Sequence, residues 1–247
     1  RRLSGSVSGP GPWRDSDRGG KRQAVPIHSE RLKLSYFPIP KNGTSTMRAV
    51  LRAINDEDER ISKFVRTRGA DVNAGEDTSA RNFPRARREY KASGLGYERL
   101  VLIRDPLRRF YSGYQNKVRN GRLAKLTESD RLPESGLPTQ PDLETFVANL
   151  DQYGAESFMI RRHFYPQAHF IGPKLSWFHH VHRLERFGDF ARFMSDRLGQ
   201  EIAFPHVKKQ DMDWVDDVSP KTAERIREIY ERDYRVLAEY YAVPAQV

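Results

Sequence analysis

The sequence predicts one α/β domain, with a central parallel sheet flanked by helices. Segments of strand character and of helix character alternate along the chain, as they do in a parallel sheet covered by helices. One strand candidate, LVLI at 100–103, is a continuous apolar run, which is typical of a parallel strand buried on both faces. The chain has 247 residues, of which 37% are hydrophobic, so it can form one sizeable core.

A flexible tail is predicted before the domain. Residues 1–28 are rich in Gly, Ser, Arg and Pro, a composition typical of segments without a packed core. The basic start is not followed by the apolar stretch of a signal peptide. We therefore expect a tail over 1–28 and the folded domain over 29–247. The question of an anchor upstream of Arg1 stays open.

Two strand-to-helix units form the centre of the prediction. The segment LKLSYFPI (32–39) alternates along its length, so it predicts a strand. Apolar residues recur at helical spacing from Met47 to Ile54, so a helix follows. The run LVLI is a second strand, and apolar residues from Leu107 to Val118 mark the helix after it.

The rest of the chain is predicted to be less regular at first and then to alternate again. Residues 56–98 and 120–141 are expected to be irregular, and the stretch RNFPRARREYK at 81–91 is strongly basic. The other predicted elements are a short helix over 143–150, strands at AHFIG (168–172) and HHVHRLE (179–185), a helix from Phe187 to Leu198 that ends at Gly199, and a long helix from Ser219–Pro220 to Tyr241.

The charge and the composition restrict the partners. The formal net charge is +10, which favours anionic ligands. The chain has no cysteine, so disulfides and thiolate metal sites are excluded, and no apolar run is long enough to span a membrane. The histidines at 179, 180 and 182 fall on a predicted strand, but the sequence places no further ligands beside them, so we predict no metal site.

The first candidate site is the segment IPKNGTSTM (39–47), where the first strand passes into a helix. Backbone N–H groups at a helix N-terminus bind anions, and the helix dipole adds to this. The glycine permits close approach, the hydroxyl groups add donors, and the lysine adds a mobile charge. The lysine precedes the glycine, unlike the Walker A order. An ordinary capped turn is the alternative. The candidate ligand-binding residues are Lys41, Asn42, Gly43, Thr44, Ser45 and Thr46.

The second candidate site is RDPLRRFYSGYQNK (104–117), which also follows a buried strand and opens a helix. Arg104 can bind a phosphate through two N–H groups, and Ser112 on the same helix can add a hydroxyl. Two anion sites at two strand ends imply a ligand with two separated phosphate groups.

The two segments together resemble the sulfotransferases that use 3′-phosphoadenosine 5′-phosphosulfate (PAPS). PKNGTST is similar to their loop for the 5′-phosphosulfate, and RDPLRRFYSGYQNK is similar to their 3′-phosphate site. The segment RHFYPQAHFIG (162–172) resembles the HxxPQ segment of the carbohydrate sulfotransferase branch. Met47 stands where cytosolic small-molecule sulfotransferases carry tryptophan, and their RKGxxGDW loop is absent, which favours the carbohydrate branch.

The resemblance implies a P-loop-like sulfotransferase fold and sulfuryl transfer from PAPS, without a metal, to a carbohydrate hydroxyl. Lys41 would be catalytic, at the bridging oxygen of the donor, and Arg104 and Ser112 would bind the 3′-phosphate. His163 would line the acceptor side as a second catalytic candidate, and a structural histidine bonded within the core is the alternative. The basic stretch 81–91 favours an anionic glycan as the acceptor, and an ordinary solvated surface is the alternative.

The general base stays open. In related enzymes it is a Glu or His in the region after the first helix. The candidates here are Glu57, Glu59, Glu76, Asp77, Glu89 and His163.

The animal Golgi members of the branch have cysteines and a membrane anchor. This chain shows neither, so we expect a bacterial protein, cytoplasmic or membrane-peripheral, rather than one of the Golgi lumen.

Two alternatives belong to other classes. A nucleotide kinase or NTPase would need a Walker lysine and a carboxylate for Mg²⁺ at a strand end, and neither pattern is evident. A non-enzymatic binder of nucleic acid would fit the charge, but its motifs are missing and it would leave two phosphate loops unexplained. We therefore expect no nucleic-acid partner.

Overall fold

A computed structural model describes residues 26–56, 82–121, 123, 135–204 and 213–242 of the chain. These residues form a four-stranded sheet in the order β1-β2-β3-β4. The strands are β1 (Ile27–Ser29), β2 (Leu34–Phe37), β3 (Glu98–Ile103) and β4 (His180–Arg183). β1 pairs antiparallel with β2, whereas β2, β3 and β4 run parallel. The predicted fold class is confirmed.

Helices cover the sheet. In the described ranges they are α1 (Thr44–Asn55), α2 (Phe83–Ser93), α3 (Pro106–Tyr114), α4 (Leu143–Ala148), α5 (Leu150–Glu156), α6 (Phe158–Phe164), α7 (Gln167–Ile171), α8 (Phe187–Leu198), α9 (Pro220–Ile229) and α10 (Glu231–Val236). α3 continues into a π-helical turn over Gln115–Arg119, and a 3₁₀ turn over Leu184–Arg186 joins β4 to α8. None of these helices is long and apolar enough to cross a membrane.

The sheet separates two apolar cores, as the alternation of side chains along a strand requires. Leu100 and Leu102 of β3 face a smaller core that contains residues of α1 and α8. Val101 and Ile103 face the larger core, to which α2 to α7 and the two last helices contribute. All four side chains are fully buried, so the run LVLI is the two-sided strand that its sequence predicts.

α2 corrects the expectation of an irregular segment at 81–91. The Asn82 side chain accepts a hydrogen bond from the backbone N–H of Arg85, and Gly94 ends the helix in the left-handed conformation. Phe83, Ala86 and Tyr90 are buried at helical spacing. The arginines between these residues obscured the helical spacing of the apolar positions in the sequence. The middle of the predicted irregular stretch, 57–81, lies outside the described residues.

α7 corrects a predicted strand, because AHFIG at 168–172 is mostly helical. The Asp233 carboxylate accepts hydrogen bonds from the backbone N–H groups of Gln167 (2.7 Å) and Ala168 (2.8 Å). This cap stabilises the start of α7. It comes from a residue distant in sequence, so the local apolar run predicts the wrong element.

Two boundaries also differ from the sequence prediction. β1 begins at Ile27, so Ile27 and His28 form the edge of the sheet rather than the end of the tail, and residues 1–25 lie outside the described residues. The predicted long last helix is two helices, since Tyr230 has φ −104° and ψ 17° between them. The Tyr230 hydroxyl donates to the carbonyl of Phe164 (2.6 Å).

Candidate active site

The candidate site lies at the edge of the sheet where β2, β3 and β4 end. Each of these strands is followed by a short connection and then by a helix: α1, α3 and α8. In open parallel sheets, ligands bind beyond the carboxyl ends of the strands. The fold therefore brings the two predicted anion-binding segments to one edge.

The first loop, residues 38–43, has an unusual backbone. Lys41 has φ 71° and Gly43 has φ 74°, and among the described residues only Lys33 and Lys41 are non-glycine residues with positive φ. A β-carbon on Gly43 would lie 3.1 Å from Cδ1 of Leu184, a contact that a small shift of this side chain would relieve, so it is the positive φ that favours glycine. Such strained positions cluster at functional sites.

The start of α1 is prepared for an anion. No side chain caps the helix, and its first turn has no acidic residue. The first N–H groups of a helix have no partner within the helix, so those of the first turn are directed at the edge of the sheet. The helix dipole places partial positive charge at the same point.

Some side chains of the first loop and of the first turn of α1 hold the loop, and others are accessible to a ligand. Asn42 is fully buried, and its Nδ2 donates to the carbonyl of Leu102 (2.9 Å) and to Oε1 of Gln167 (2.7 Å). The Thr44 hydroxyl donates to the carbonyl of Ile39 (2.7 Å). Asn42 and Thr44 therefore hold the shape of the loop with their side chains. Ser45 is exposed and Thr46 is buried, so Ser45 offers the accessible hydroxyl.

The second loop, Arg104 and Asp105, reaches across to the first. Nη1 of Arg104 donates to the carbonyl of Lys41 (3.2 Å). The Asp105 side chain caps α3 by accepting from the N–H of Arg108 (2.8 Å). Ser112 lies two turns into α3 and is buried. The structure thus places Arg104 beside Lys41.

The buried side chain of Arg109 connects the first loop to the end of α6. Its guanidinium is fully buried, and it donates to three carbonyl oxygens, those of Pro40 (3.0 Å), Tyr165 (2.8 Å) and His163 (3.3 Å). The first loop and the end of α6 are therefore held by a single side chain. The motif in the sequence includes this arginine, but its spacing alone did not show the role.

Gln167 joins the two loops directly. Its Oε1 accepts from Nδ2 of Asn42 (2.7 Å) and from the N–H of Arg104 (3.1 Å), and its Nε2 donates to the carbonyl of Arg104 (2.7 Å). Neither Gln167 nor Asp233 was a predicted site residue. The HxxPQ-like segment was the sequence signal that could have identified Gln167. No sequence signal identifies Asp233, which is a single aspartate within a helical segment.

The family model of the sulfotransferase family matches residues 27–241. The chain belongs to the sulfotransferase family. Comparisons with curated proteins and with solved structures gave no significant match. The matched region contains both loops, the α6–α7 segment and α10. The loops at the sheet edge are therefore the candidate active site of an enzyme that transfers a sulfuryl group.

His163 of this sulfotransferase lies at the end of α6, close to the first loop. Its Nδ1 is 2.8 Å from the carbonyl oxygen of Met159. Burial lowers the pKa of the imidazole well below its ordinary value, and the positive charges of Lys117, Arg162 and Lys41 lower it further. His163 is therefore a neutral side chain in a cationic environment.

The other predicted candidates for the general base of the sulfotransferase are carboxylates. Glu57, Glu59, Glu76 and Asp77 lie outside the described residues. Glu89 lies on α2, where its Oε1 is 3.1 Å from Nε of Arg85. Among the candidates in the described ranges, His163 is the one whose carbonyl accepts a hydrogen bond from Arg109, which also bonds to the first loop.

The histidines of β4 in the sulfotransferase make other contacts. Nε2 of His180 is 3.1 Å from Oε2 of Glu98, and the ring of His182 packs against Phe193. Within the described ranges, no group of three or more His, Asp or Glu side chains could hold a metal ion.

Proposed function

We propose that this sulfotransferase transfers a sulfuryl group from PAPS to a hydroxyl of a carbohydrate. The observation that carries the proposal is the coupling of two anion-binding loops at adjacent strand ends. Gln167 bonds to both loops, and Arg104 bonds to the carbonyl of Lys41. A donor with two separated phosphate groups fits two loops that are held at a fixed distance.

The residues present fit PAPS. The uncapped start of α1, without an acidic residue in its first turn, suits the 5′-phosphosulfate. The positive φ of Gly43 sets the backbone that leads into this helix start. Arg104 and Ser112 would bind the 3′-phosphate, with the planar guanidinium providing the stronger, charge-assisted contact.

The reaction needs positioning and charge stabilisation. The acceptor oxygen forms a bond to sulfur while the bond from sulfur to the bridging oxygen breaks, and the electron pair stays on the phosphate. By analogy with phosphoryl transfer, the transition state is loose and carries charge on the leaving oxygen. Lys41, at the entry of the loop, would stabilise that charge as it develops.

An anionic glycan is the acceptor that the charges support. On α2, Arg87, Arg88 and Lys91 are exposed, whereas Arg85 pairs with Glu89. Exposed cations on one helix attract polyanions over about 8 Å at physiological ionic strength. The similarity to the carbohydrate branch over 162–172 supports a sugar hydroxyl as the group that is sulfated.

The test has two stages. Binding to immobilised 3′,5′-ADP should resist competition by ATP and by DNA. Labelled sulfate should then pass from PAPS to members of a panel of neutral and anionic glycans. Arg104→Ala should weaken binding of 3′,5′-ADP by at least tenfold while barely changing the weak binding of 5′-AMP. Displacement by ATP at equal concentration would instead favour a nucleotide kinase or NTPase.

A further inference from the structure

We propose that His163 is the general base of the reaction and that its Nε2 accepts the proton of the acceptor hydroxyl. This inference rests on the proposed function. It departs from the expectation that the base lies in the region after the first helix, since His163 belongs to α6.

The hydrogen bond of His163 fixes its tautomer. A carbonyl oxygen can only accept, so the Nδ1 that lies 2.8 Å from the Met159 carbonyl carries the proton. In a neutral imidazole the other nitrogen then has a lone pair. Nε2 is therefore the ring atom that can take a proton. The same bond holds the orientation of the ring, since Met159 lies one turn earlier on α6.

The position of His163 is set by two packing contacts. Arg109 donates to the His163 carbonyl and to the Pro40 carbonyl, so the end of α6 is held next to the first loop. Phe164 packs on Gly113 of α3, where a β-carbon would lie 3.0 Å from the phenyl ring. α6 thus approaches α3 closely at the residue that follows His163.

The π-helical turn adds a cation to the same place. Lys117 lies four residues after Gly113, and it falls within the turn Gln115–Arg119. The charge of Lys117 acts on the imidazole of His163, so this turn lies near the end of α6. π-helical turns are frequent at functional sites.

The charges around His163 suit a base that must lose its proton after each turnover. The charged groups that act on the imidazole are Lys117 of the π-helical turn, Arg162 of α6 and Lys41 of the first loop, and Arg109 contacts its backbone. After burial, these cations are what lower the pKa of His163, so the ring is neutral near pH 7 and can accept a proton. The imidazolium that forms is disfavoured beside them, so the proton returns readily to water.

The proton and the electrons balance without another reactant. The acceptor O–H bond gives its proton to Nε2 and its electron pair to the new O–S bond. The bond between sulfur and the bridging oxygen breaks, and its electron pair remains on the 5′-phosphate. The products are a sulfate ester, 3′,5′-ADP and protonated His163, which loses its proton to solvent.

The test compares His163→Gln and His163→Ala with the wild-type chain, using PAPS and the best glycan of the panel. We expect kcat to fall on the order of 10²–10⁴-fold in both variants. The Kd for 3′,5′-ADP should stay within about twofold. The wild-type pH profile should retain activity below pH 6.5, and its acid limb should be absent in His163→Gln. Added imidazole should partly restore His163→Ala.

His169→Gln is the matched control, because His169 is also partly buried and stacks on Tyr165 with ring centroids 4.3 Å apart. It should keep the wild-type rate and pH profile. A His163→Gln enzyme with near wild-type kcat and an unchanged acid limb would overturn the assignment and point to a carboxylate instead. A wild-type chain that binds 3′,5′-ADP yet transfers no sulfate from PAPS would overturn the proposed function, and this proposal with it.

Discussion

At the scale of single residues, Lys41 combines a strained backbone with a mobile charge. Left-handed backbone in a non-glycine residue costs on the order of 1–3 kcal/mol and persists where the surroundings enforce it. Here Arg104 bonds to the Lys41 carbonyl, and Arg109 bonds to the carbonyl of the preceding proline. Lys41 thus lies three residues before the first residue of α1, close to the anion site proposed there.

Lys41→Ala should abolish transfer without abolishing nucleotide binding. Losing one electrostatic group that acts on the transition state costs on the order of 10²–10³ in kcat. 3′,5′-ADP has no sulfuryl group, so its Kd should change only a few-fold. Steady-state kinetics and calorimetry measure the two effects separately.

Lys33→Ala is the control for the backbone. Lys33 also has positive φ, at 49°, but it lies in the turn between β1 and β2, where it pairs with Glu30. It should match the wild-type chain in both assays. If Lys41→Ala keeps near-normal turnover, Lys41 is not the group that stabilises the leaving oxygen.

At the scale of elements, the two loops and α7 form one unit through Gln167. The Gln167 side chain bonds to the Asn42 amide and to the backbone of Arg104. Asp233, which caps α7, accepts from the backbone N–H of Gln167. Every one of these groups is wholly or partly buried. A change in either loop must therefore be transmitted to the other.

Gln167→Met should loosen both loops at once. Methionine has a similar length but leaves the Arg104 N–H and carbonyl without their partner. Each unpaired buried group costs about 1–3 kcal/mol, so the free energy of unfolding should fall by several kcal/mol. Binding of 3′,5′-ADP should weaken more than binding of 5′-AMP, because only the former needs both loops. Denaturant titration and calorimetry measure these losses.

Gln152→Met on the exposed face of α5 should change neither quantity. Equal losses for 3′,5′-ADP and 5′-AMP in the Gln167 variant would show that the side chain stabilises the fold without coupling the loops.

The sequence predicts the loops better than it predicts what supports them. Local signals, such as a buried apolar run followed by Arg-Asp-Pro, specify the strand, the cap and the helix of β3–α3. Arg109 and Gln167 act through contacts with distant carbonyl and amide groups, which no local pattern encodes. The predictions for α7 and α2 were wrong for two different reasons. A distant carboxylate caps the first, and charged residues obscure the apolar stripe of the second.

At the scale of the whole molecule, one buried carboxylate makes stability depend on pH. Burial raises the pKa of Asp233 from 3.8 to about 6, against the opposing effects of Arg109 and two backbone N–H groups. The folded chain then binds more protons than the unfolded chain between about pH 4 and pH 6. Stability contributed by this group is therefore present below pH 4 and falls as the pH rises through that window.

Asp233→Asn should remove this dependence. A shift of about two pKa units corresponds to about 3 kcal/mol. The difference in free energy of unfolding between the two chains should change by that amount from pH 4 to pH 6.5, in favour of the variant as the pH rises. Denaturant titrations across this range measure it. Asp216→Asn, at an exposed position, should show no such trend. A difference that is constant with pH would place the Asp233 pKa near its ordinary value.

The cap of α7 also determines when the site can form during synthesis. A ribosome reaches Asp233 only roughly 10–40 s after it has made the first loop, at ordinary rates of elongation. Until α10 emerges, the first N–H groups of α7 lack their carboxylate, and Phe164 lacks the hydroxyl of Tyr230. The nascent chain can form α1 and α3 by local contacts, but the coupling between the loops must wait. The two loops at the edge of the sheet are thus coupled only after α10 has been made. A chain stalled before α10 should expose both loops to proteases.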